Sequence, residues 1–343
     1  MTSYTLADLG WSDHFADQIA ADNTDIPARI TDIHRARIIA LGAGAEHLSL
    51  PLSGRTGLAI GDWILHDHDR ITRSLDPTGV IQRAAPHTLL PQIIAANVDT
   101  LGIVTSCNAD FNPARIERYL AMAMAAEALP LVILTKPDLA DDPDSYRRQT
   151  EAISPLLVAI TLNAKDPEDA LRLAPWCGPG RTLALTGSSG VGKTTLRNAL
   201  TGEADRTAGI REDDAKGRHT TTARALRPTI TGGWLIDTPG MRELGMSGTS
   251  EGIDAVFSDI GDLLGTCRFS DCAHVSEPGC AILGAVAAGQ IDPARLDRWR
   301  KLQAEEAHSQ ASTSAARDLA KKREKMYNSG RKRGRQKRGQ SED

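Results

Sequence analysis

Eight consecutive residues, Gly187-Ser188-Ser189-Gly190-Val191-Gly192-Lys193-Thr194, match the pattern G-x-x-x-x-G-K-[ST] without a gap. Glycines at these positions let a backbone turn its N–H groups inward on phosphate oxygens. A helix that starts at the loop adds its own free N–H groups and dipole. In such a loop Lys193 reaches the β- and γ-phosphates of a nucleoside triphosphate. Thr194, followed by Thr195, places its hydroxyl on Mg²⁺. The apolar stretch 182–185 reads as a buried strand entering the loop, and a helical pattern starts at Lys193. A functionless Gly-rich turn is the alternative, and the full motif between strand and helix leaves it little room.

Three other stretches bear on which base is bound. Asp237-Thr238-Pro239-Gly240 follows the apolar run 233–236 and has the D-x-x-G layout. There Asp237 is expected to hold Mg²⁺ through water, and the Gly240 N–H to sense the γ-phosphate. Thr135-Lys136-Pro137-Asp138 ends the apolar run 131–134 and resembles the guanine-reading motif N-K-x-D. A carboxylate at Asp138 accepts both N–H groups on the guanine Watson–Crick edge, a pair adenine does not offer. Lys136 lies against the ring in this reading. Thr135 replaces the usual Asn, and a weaker local scaffold is expected from it. Asn163-Ala164-Lys165 resembles S-A-K, whose Ala N–H meets the guanine carbonyl; alone it carries little weight.

The order of these motifs is unusual. The base-reading motifs precede the phosphate loop in the chain, yet read around a circle the four stand in the ordinary order of a GTPase. A doubly wound α/β sheet tolerates such a permutation when its original termini lie close together.

Gly217-Arg218-His219-Thr220-Thr221-Thr222 lies where a first switch belongs. One threonine there binds Mg²⁺ when the γ-phosphate is present; Thr221 is the choice among three. Many GTPases follow D-x-x-G with a Gln that orients the attacking water, and this chain has Met241. Slow intrinsic hydrolysis is expected, with His219, or a group from a partner, positioning the water.

A second constellation is Cys267-x4-Cys272-x-His274-x5-Cys280, three of the chain's five cysteines and one histidine within fourteen residues. Four such ligands suit one closed, tetrahedral, structural Zn²⁺ site. Redox thiols or a Cys–His nucleophile are the rival readings. An odd cysteine count without a secretory signal does not suggest a disulfide framework.

The rest of the chain must position these groups. Residues 1–25 are polar and treated as an N-terminal extension. Residues 26–85 carry short β-branched runs punctuated by Gly, expected as strands at 30–33, 37–41, 48–52, 58–60, 63–65 and 80–82, a small barrel or sandwich. Residues 86–250 alternate apolar strands with helices, as in a doubly wound domain; one helix opens at Asn112-Pro113 and is expected to run to about Leu129. Residues 251–308 read as helical, with helices at 253–264, 280–288 and 292–307. Residues 309–343 read as a disordered or loosely helical basic arm. The net charge is -4, yet residues 321–338 hold ten Lys or Arg against the single acid Glu324. An acidic body with a basic tail excludes a wholly polycationic binder but leaves the tail able to contact a phosphate backbone. The apolar fraction, 41%, is that of a soluble globular protein. The first twenty residues carry no basic stretch, no run approaches a bilayer span, and a cytoplasmic monomer is expected.

The combination of a small β-domain, GSSGVGKTT, GRHTTT, DTPG, and the cysteine pattern continued by Glu277-Pro278-Gly279 resembles the RsgA/YjeQ family of circularly permuted GTPases. The stretch 92–99 resembles that family's entry into its GTPase domain. The resemblance implies an OB-fold barrel that contacts ribosomal RNA. It implies GTP as the nucleotide, and late maturation of the small ribosomal subunit as the setting. It also implies hydrolysis to GDP stimulated by that subunit. An ATPase, a degenerate RNA-binding module and a GTPase serving another assembly are the rivals.

Overall fold

The computed structural model describes residues 3–45, 47–52, 55–83, 91–155, 157–203, 225–237 and 247–338, the last stretch as backbone alone from 316 onward. Strand β1 (Ile26–Ile33) pairs antiparallel with β2 (Arg37–Gly42) and, through its first half, with β4 (Trp63–His66). β2 pairs with β3 (His47–Pro51), and β4 with β5 (Ile71–Ser74). Alternation on β3 turns Leu48 and Leu50 inward. With Ala28, Ile30, Ile38, Ala40, Ile64 and Ile71 they form a separate apolar core. A bulge between Ile30 and Asp32 curls β1 so that it serves two partners. These five strands make up the OB-type β-domain; β5 was not among the six runs expected.

The GTPase sheet adds β8 (Thr100–Ser106), β9 (Leu129–Thr135), β10 (Val158–Thr161), β11 (Thr182–Gly187), β12 (Ala225–Pro228) and β13 (Trp234–Asp237). Its spatial order is β10-β9-β8-β11-β13-β12, parallel throughout except for antiparallel β12. Every residue of β8 and β11 is buried, as expected for strands covered on both faces. One register pair, Asp32 with Ala225, joins barrel and GTPase sheet edge to edge. Between them β6 (Val80–Arg83) pairs with β7 (Gln92–Ala96), so the expected boundary at 85 falls inside the connection of one hairpin.

Residues 3–25, short helix α1 (Asp13–Ala16) included, pack into the main core: Leu9 and Phe15 are buried, and Trp11 meets Trp63 edge-on at 4.7 Å. Arg29 on β1, 1% exposed, donates to the carbonyls of Leu9 (2.7 Å), Gly61 (3.2 Å) and Asn97 (3.0 Å). One guanidinium thus ties the N-terminal segment, the barrel and the GTPase domain. Burial lowers its pKa to about 10, against the opposing pull of Asp99 and Asp62.

Helix α2 (Pro113–Ala125) starts at Asn112, whose side chain caps the Arg115 N–H. It ends four residues before Leu129, which opens β9; left-handed Glu127 makes the break. Helices α3 (Pro143–Glu151) and α4 (Pro167–Ala170) follow β9 and β10, and α5 (Lys193–Thr201) follows the phosphate loop. The expected strand at 58–60 is only a single bridge, Ile60 to Ala95, while β5 and α3 were not anticipated.

Beyond the GTPase sheet come α6 (Ser250–Val256), α7 (Ser258–Gly261), α8 (Ala281–Ala287) and α9 (Pro293–Arg338). The helix expected at 253–264 is broken at Phe257, over whose ring the Arg295 guanidinium lies at 4.7 Å. Gly252 lets α6 approach α2 closely; a methyl there would meet the Ala121 carbonyl. Fully buried Glu117 of α2 accepts from Arg295 (3.2 Å) and Arg298 (2.6 Å) of α9, so losing both arginines would leave a buried charge unpaired. α9 runs on to Arg338, so of the two readings of the basic arm from Ser309, disordered or loosely helical, the backbone takes the helical one. The stretch lacks proline after its first residue and is rich in Ala, Lys, Arg, Gln and Glu, strong helix formers in their own right. No helix among the described residues is long and apolar enough to cross a membrane.

Candidate nucleotide site and metal centre

The phosphate loop leaves the C-terminal end of β11, in the middle of the sheet, and enters α5. Its glycines are needed. Gly187 (φ 138) lies so close to β8 that a methyl would come 2.1 Å from the Val104 carbonyl oxygen, and Gly192 (φ 98) turns the chain into α5. Lys193 donates through Nζ to the carbonyls of Gly187 (2.7 Å) and Ser188, folding over the loop it belongs to.

The candidate base-reading motifs arrive from β9 and β10, beyond β8. Thr135 ends β9, Lys136 adopts a left-handed backbone (φ 57), and Pro137, Asp138 and Leu139 form one tight helical turn with Asp138 exposed. After β10, Asn163 accepts at Oδ1 from the Lys165 N–H (3.1 Å), while its own N–H donates to Asp169 (2.6 Å). A methyl built on Gly192 would lie 3.7 Å from both the Ala164 methyl and the Thr135 hydroxyl. Three motifs far apart in sequence therefore meet at one point of the loop.

Thr135 does more than the sequence suggested. Its buried hydroxyl lies 2.6 Å from the Val191 carbonyl in the phosphate loop and 3.0 Å from the Thr105 carbonyl at the end of β8. With one proton it donates to one carbonyl at a time, and the shorter contact is to the loop. Although Thr is shorter than the usual Asn, its hydroxyl reaches the phosphate loop from β9.

Asp237 ends β13 beside the loop and is paired with Arg197 of α5 at 2.9 Å. Nothing in the sequence reading pointed to Arg197. The available signal was its place four residues after Lys193, one helical turn on. The proposed switch groups His219, Thr221 and Gly240, and Met241 with them, lie outside the described residues.

The chain resumes at Ser247 after that segment and is anchored at once. Gly248 N–H (3.0 Å) and the Thr249 hydroxyl (2.9 Å) donate to Glu306, a carboxylate of α9 that is 2% exposed.

The donor atoms of Cys267, Cys272, His274 and Cys280 all lie within 4.8 Å of one another. Bonds of about 2.3 Å to sulfur and 2.05 Å to nitrogen give a tetrahedron edges of about 3.8 Å between sulfurs and about 3.6 Å from nitrogen to sulfur. Cys267 and Cys280 are 3.9 Å apart, and His274 Nδ1 is 3.5 Å from each. These three donors have tetrahedral spacing, and with Cys272 within 4.8 Å of them the four residues suit one metal ion. Glu277 shapes the loop by accepting from the N–H groups of Ala273 (3.0 Å), Val275 (2.8 Å) and Ser276 (3.0 Å). The backbone N–H of Glu277 itself, with those of Ser276, Val275 and Ala273, holds its carboxyl down at about 2. From α9, Arg300 donates to the His274 carbonyl, and Trp299 packs its ring against the imidazole.

A phosphate loop after β11, candidate base-reading motifs after β9 and β10 on the far side of β8, and a permuted chain order define a circularly permuted P-loop GTPase. The family model described as RsgA GTPase matches residues 76–247. The small ribosomal subunit biogenesis GTPase RsgA of Mesorhizobium japonicum is 51% identical, over 92% of this chain and 94% of that one. RsgA 2 of Vibrio parahaemolyticus is 44% identical, over 92% and 90%. Among solved structures, YjeQ from Thermotoga maritima superposes with a TM-score of 0.60 at 24% identity, covering 81% of this chain and 97% of that one. The circularly permuted GTPase YloQ gives 0.59 at 21%, covering 84% and 96%. The chain belongs to the RsgA GTPase family, and it hydrolyses GTP.

Proposed function

We propose that this GTPase assists late maturation of the small ribosomal subunit, binding the subunit and its rRNA, with hydrolysis stimulated by the subunit and driving release. The names of the relatives support the setting. The observation that carries the mechanical part is the Glu306 anchor. The permutation leads the chain from the D-x-x-G segment straight into the C-terminal helices, and Glu306 grips the first residues beyond it. A change at the γ-phosphate would then act on α9 and the metal centre, as switch segments act on what they are tied to.

In this reading Gly187 to Thr195 bind the phosphates, with Lys193 at the β- and γ-positions. Asp138 and Lys136 read guanine, Ala164 meets its carbonyl, and Thr135 and Pro137 with Asn163 and Lys165 frame the base. Thr194, Thr221 and Asp237 hold Mg²⁺, which supplies charge neutralisation between the β- and γ-oxygens. Gly240 senses the γ-phosphate. His219 orients water in place of the glutamine that Met241 replaces. The cysteine centre takes one structural Zn²⁺, since all four ligand positions are filled by the chain. The barrel and the basic residues 321–338 meet rRNA. The protein works as a cytoplasmic monomer.

The test is GTP hydrolysis with and without isolated small subunits, with ATP as control and Lys193→Ala alongside. Subunit-stimulated turnover, reduced on the order of 10²-fold or more in the mutant and absent with ATP, supports the proposal. Turnover indifferent to the subunit removes the assigned partner.

A further inference from the structure

Helix α5 carries two cations toward the nucleotide site, and only the first belongs to the phosphate-loop motif. The second, Arg197, has a side chain only 5% exposed. Its NH1 donates to Asp237 Oδ2 at 2.9 Å, and its Nε and NH2 donate to Asn198 Oδ1 at 3.3 and 3.0 Å. Asp237 is itself 16% exposed, so the pair is shielded from the screening that weakens surface ion pairs.

We propose that Arg197 is a positioning residue that sets how strongly the nucleotide-bound Mg²⁺ is held. This rests on the assignment of Asp237 to Mg²⁺. The effect is electrostatic. An acidic residue holds a dication by its full negative charge, and a guanidinium already on that carboxylate cancels part of it. Two effects oppose each other when Arg197 is removed. The carboxylate loses one group that fixes its rotamer, which weakens the metal's hold a few-fold. It also regains its charge, and a buried unit cation no longer repels the dication. At the effective dielectric of a protein site the charge effect is the larger. Removing the charge therefore tightens Mg²⁺ binding. Arg197 keeps the metal, and with it the nucleotide, from being held too firmly.

The experiment follows fluorescent GDP binding as Mg²⁺ is titrated, for the wild type, Arg197→Lys, Arg197→Met and Arg197→Gln. Arg197→Gln keeps a hydrogen-bond donor toward Asp237 without the charge, and it stands in for Arg197→Met should that variant fail to fold. The half-saturating Mg²⁺ concentration is expected to fall by about tenfold in the Met and Gln variants. It should stay near the wild-type value in Arg197→Lys, and GDP affinity measured in EDTA should be unchanged in all four. Added to Asp237→Asn, Arg197→Met should lower the Mg²⁺ midpoint by less than it does alone, because only the direct repulsion between guanidinium and dication is then left to remove. An unchanged or raised midpoint in Arg197→Met and Arg197→Gln overturns the proposal while leaving the Mg²⁺ assignment intact. A wild type whose GDP affinity ignores Mg²⁺ overturns both.

Discussion

The phosphate loop and the cysteine loop are both shaped for a charged ligand, but they hold their shape by different means. The first is set by the sheet: Gly187 lies against Val104, Gly192 turns into α5, and Thr135 reaches across from β9 to Val191. Its walls are buried strands, and Val191 is 1% exposed. The second spans 262–280 with no helix or strand of its own before α8. Glu277, one bond from Arg300 and the ring of Trp299 support it, and Cys272 and His274 remain partly exposed. A loop built on a buried sheet is preorganised before its ligand arrives. A loop built on four donor atoms takes much of its order from the metal, so its folding and binding energies are one quantity.

The largest effect that tests this contrast is metal removal. Structural zinc contributes on the order of 10 kcal/mol or more to small metal-folded units. A strong chelator should therefore abolish hydrogen-exchange protection across 262–280. Protection in β8, β9 and β11, and GDP affinity, should persist. Loss of nucleotide binding along with the metal would mean that the two regions form one cooperative unit and that the contrast is wrong.

A smaller effect sharpens it. Glu277→Gln keeps the size of the side chain but replaces one accepting oxygen with a donor, facing backbone N–H groups that now have no partner. Its partners Ala273, Val275 and Ser276 flank the ligands Cys272 and His274, so the loss of metal affinity should be about tenfold, the lower end for groups bonded to ligands directly. A competition titration with a chromophoric chelator should show a loss of that order, again without change in GDP affinity. Because the carboxyl is held down at about 2, the wild-type loop should keep its Glu277 contacts through mildly acidic pH.

The sequence made the two sites legible to different depths. The glycine pattern and the cysteine spacing are local signals, set by backbone conformation and ligand count, and the structure brings each set together. The barrel was legible from β-branched runs, although β5, Ile71–Ser74, with two exposed polar residues, gave no apolar alternation to read. Helix α2 was read too long because its apolar pattern passes without a break into the buried strand β9, and only the left-handed Glu127 separates them. Arg197 and Glu306 were invisible for a different reason. Each looks like an ordinary surface residue of a helix, and each is buried only because another element supplies the partner, 40 residues away for Arg197 and 57 or 58 for Glu306. The packed N-terminal segment was missed in the same way: its polar composition hides Leu9 and Phe15, which find their partners in the barrel and the sheet.

Thr135 is the place where sequence and structure disagree most usefully, and it gives the smallest of these effects. Thr135→Val is nearly isosteric and keeps the β-branched shape that suits the end of β9. It removes the only proton shared between the Val191 and Thr105 carbonyls. A net loss of about 1 kcal/mol is expected for one such buried hydrogen bond. It should fall on the position of the loop rather than on the sheet. GDP affinity should then drop by about fivefold with the melting temperature nearly unchanged, while Thr135→Ser, which retains the hydroxyl, should bind GDP as the wild type does. A fall in melting temperature without a change in GDP affinity would place the bond among the sheet's own supports. The phosphate loop would then owe its preorganisation to its glycines alone.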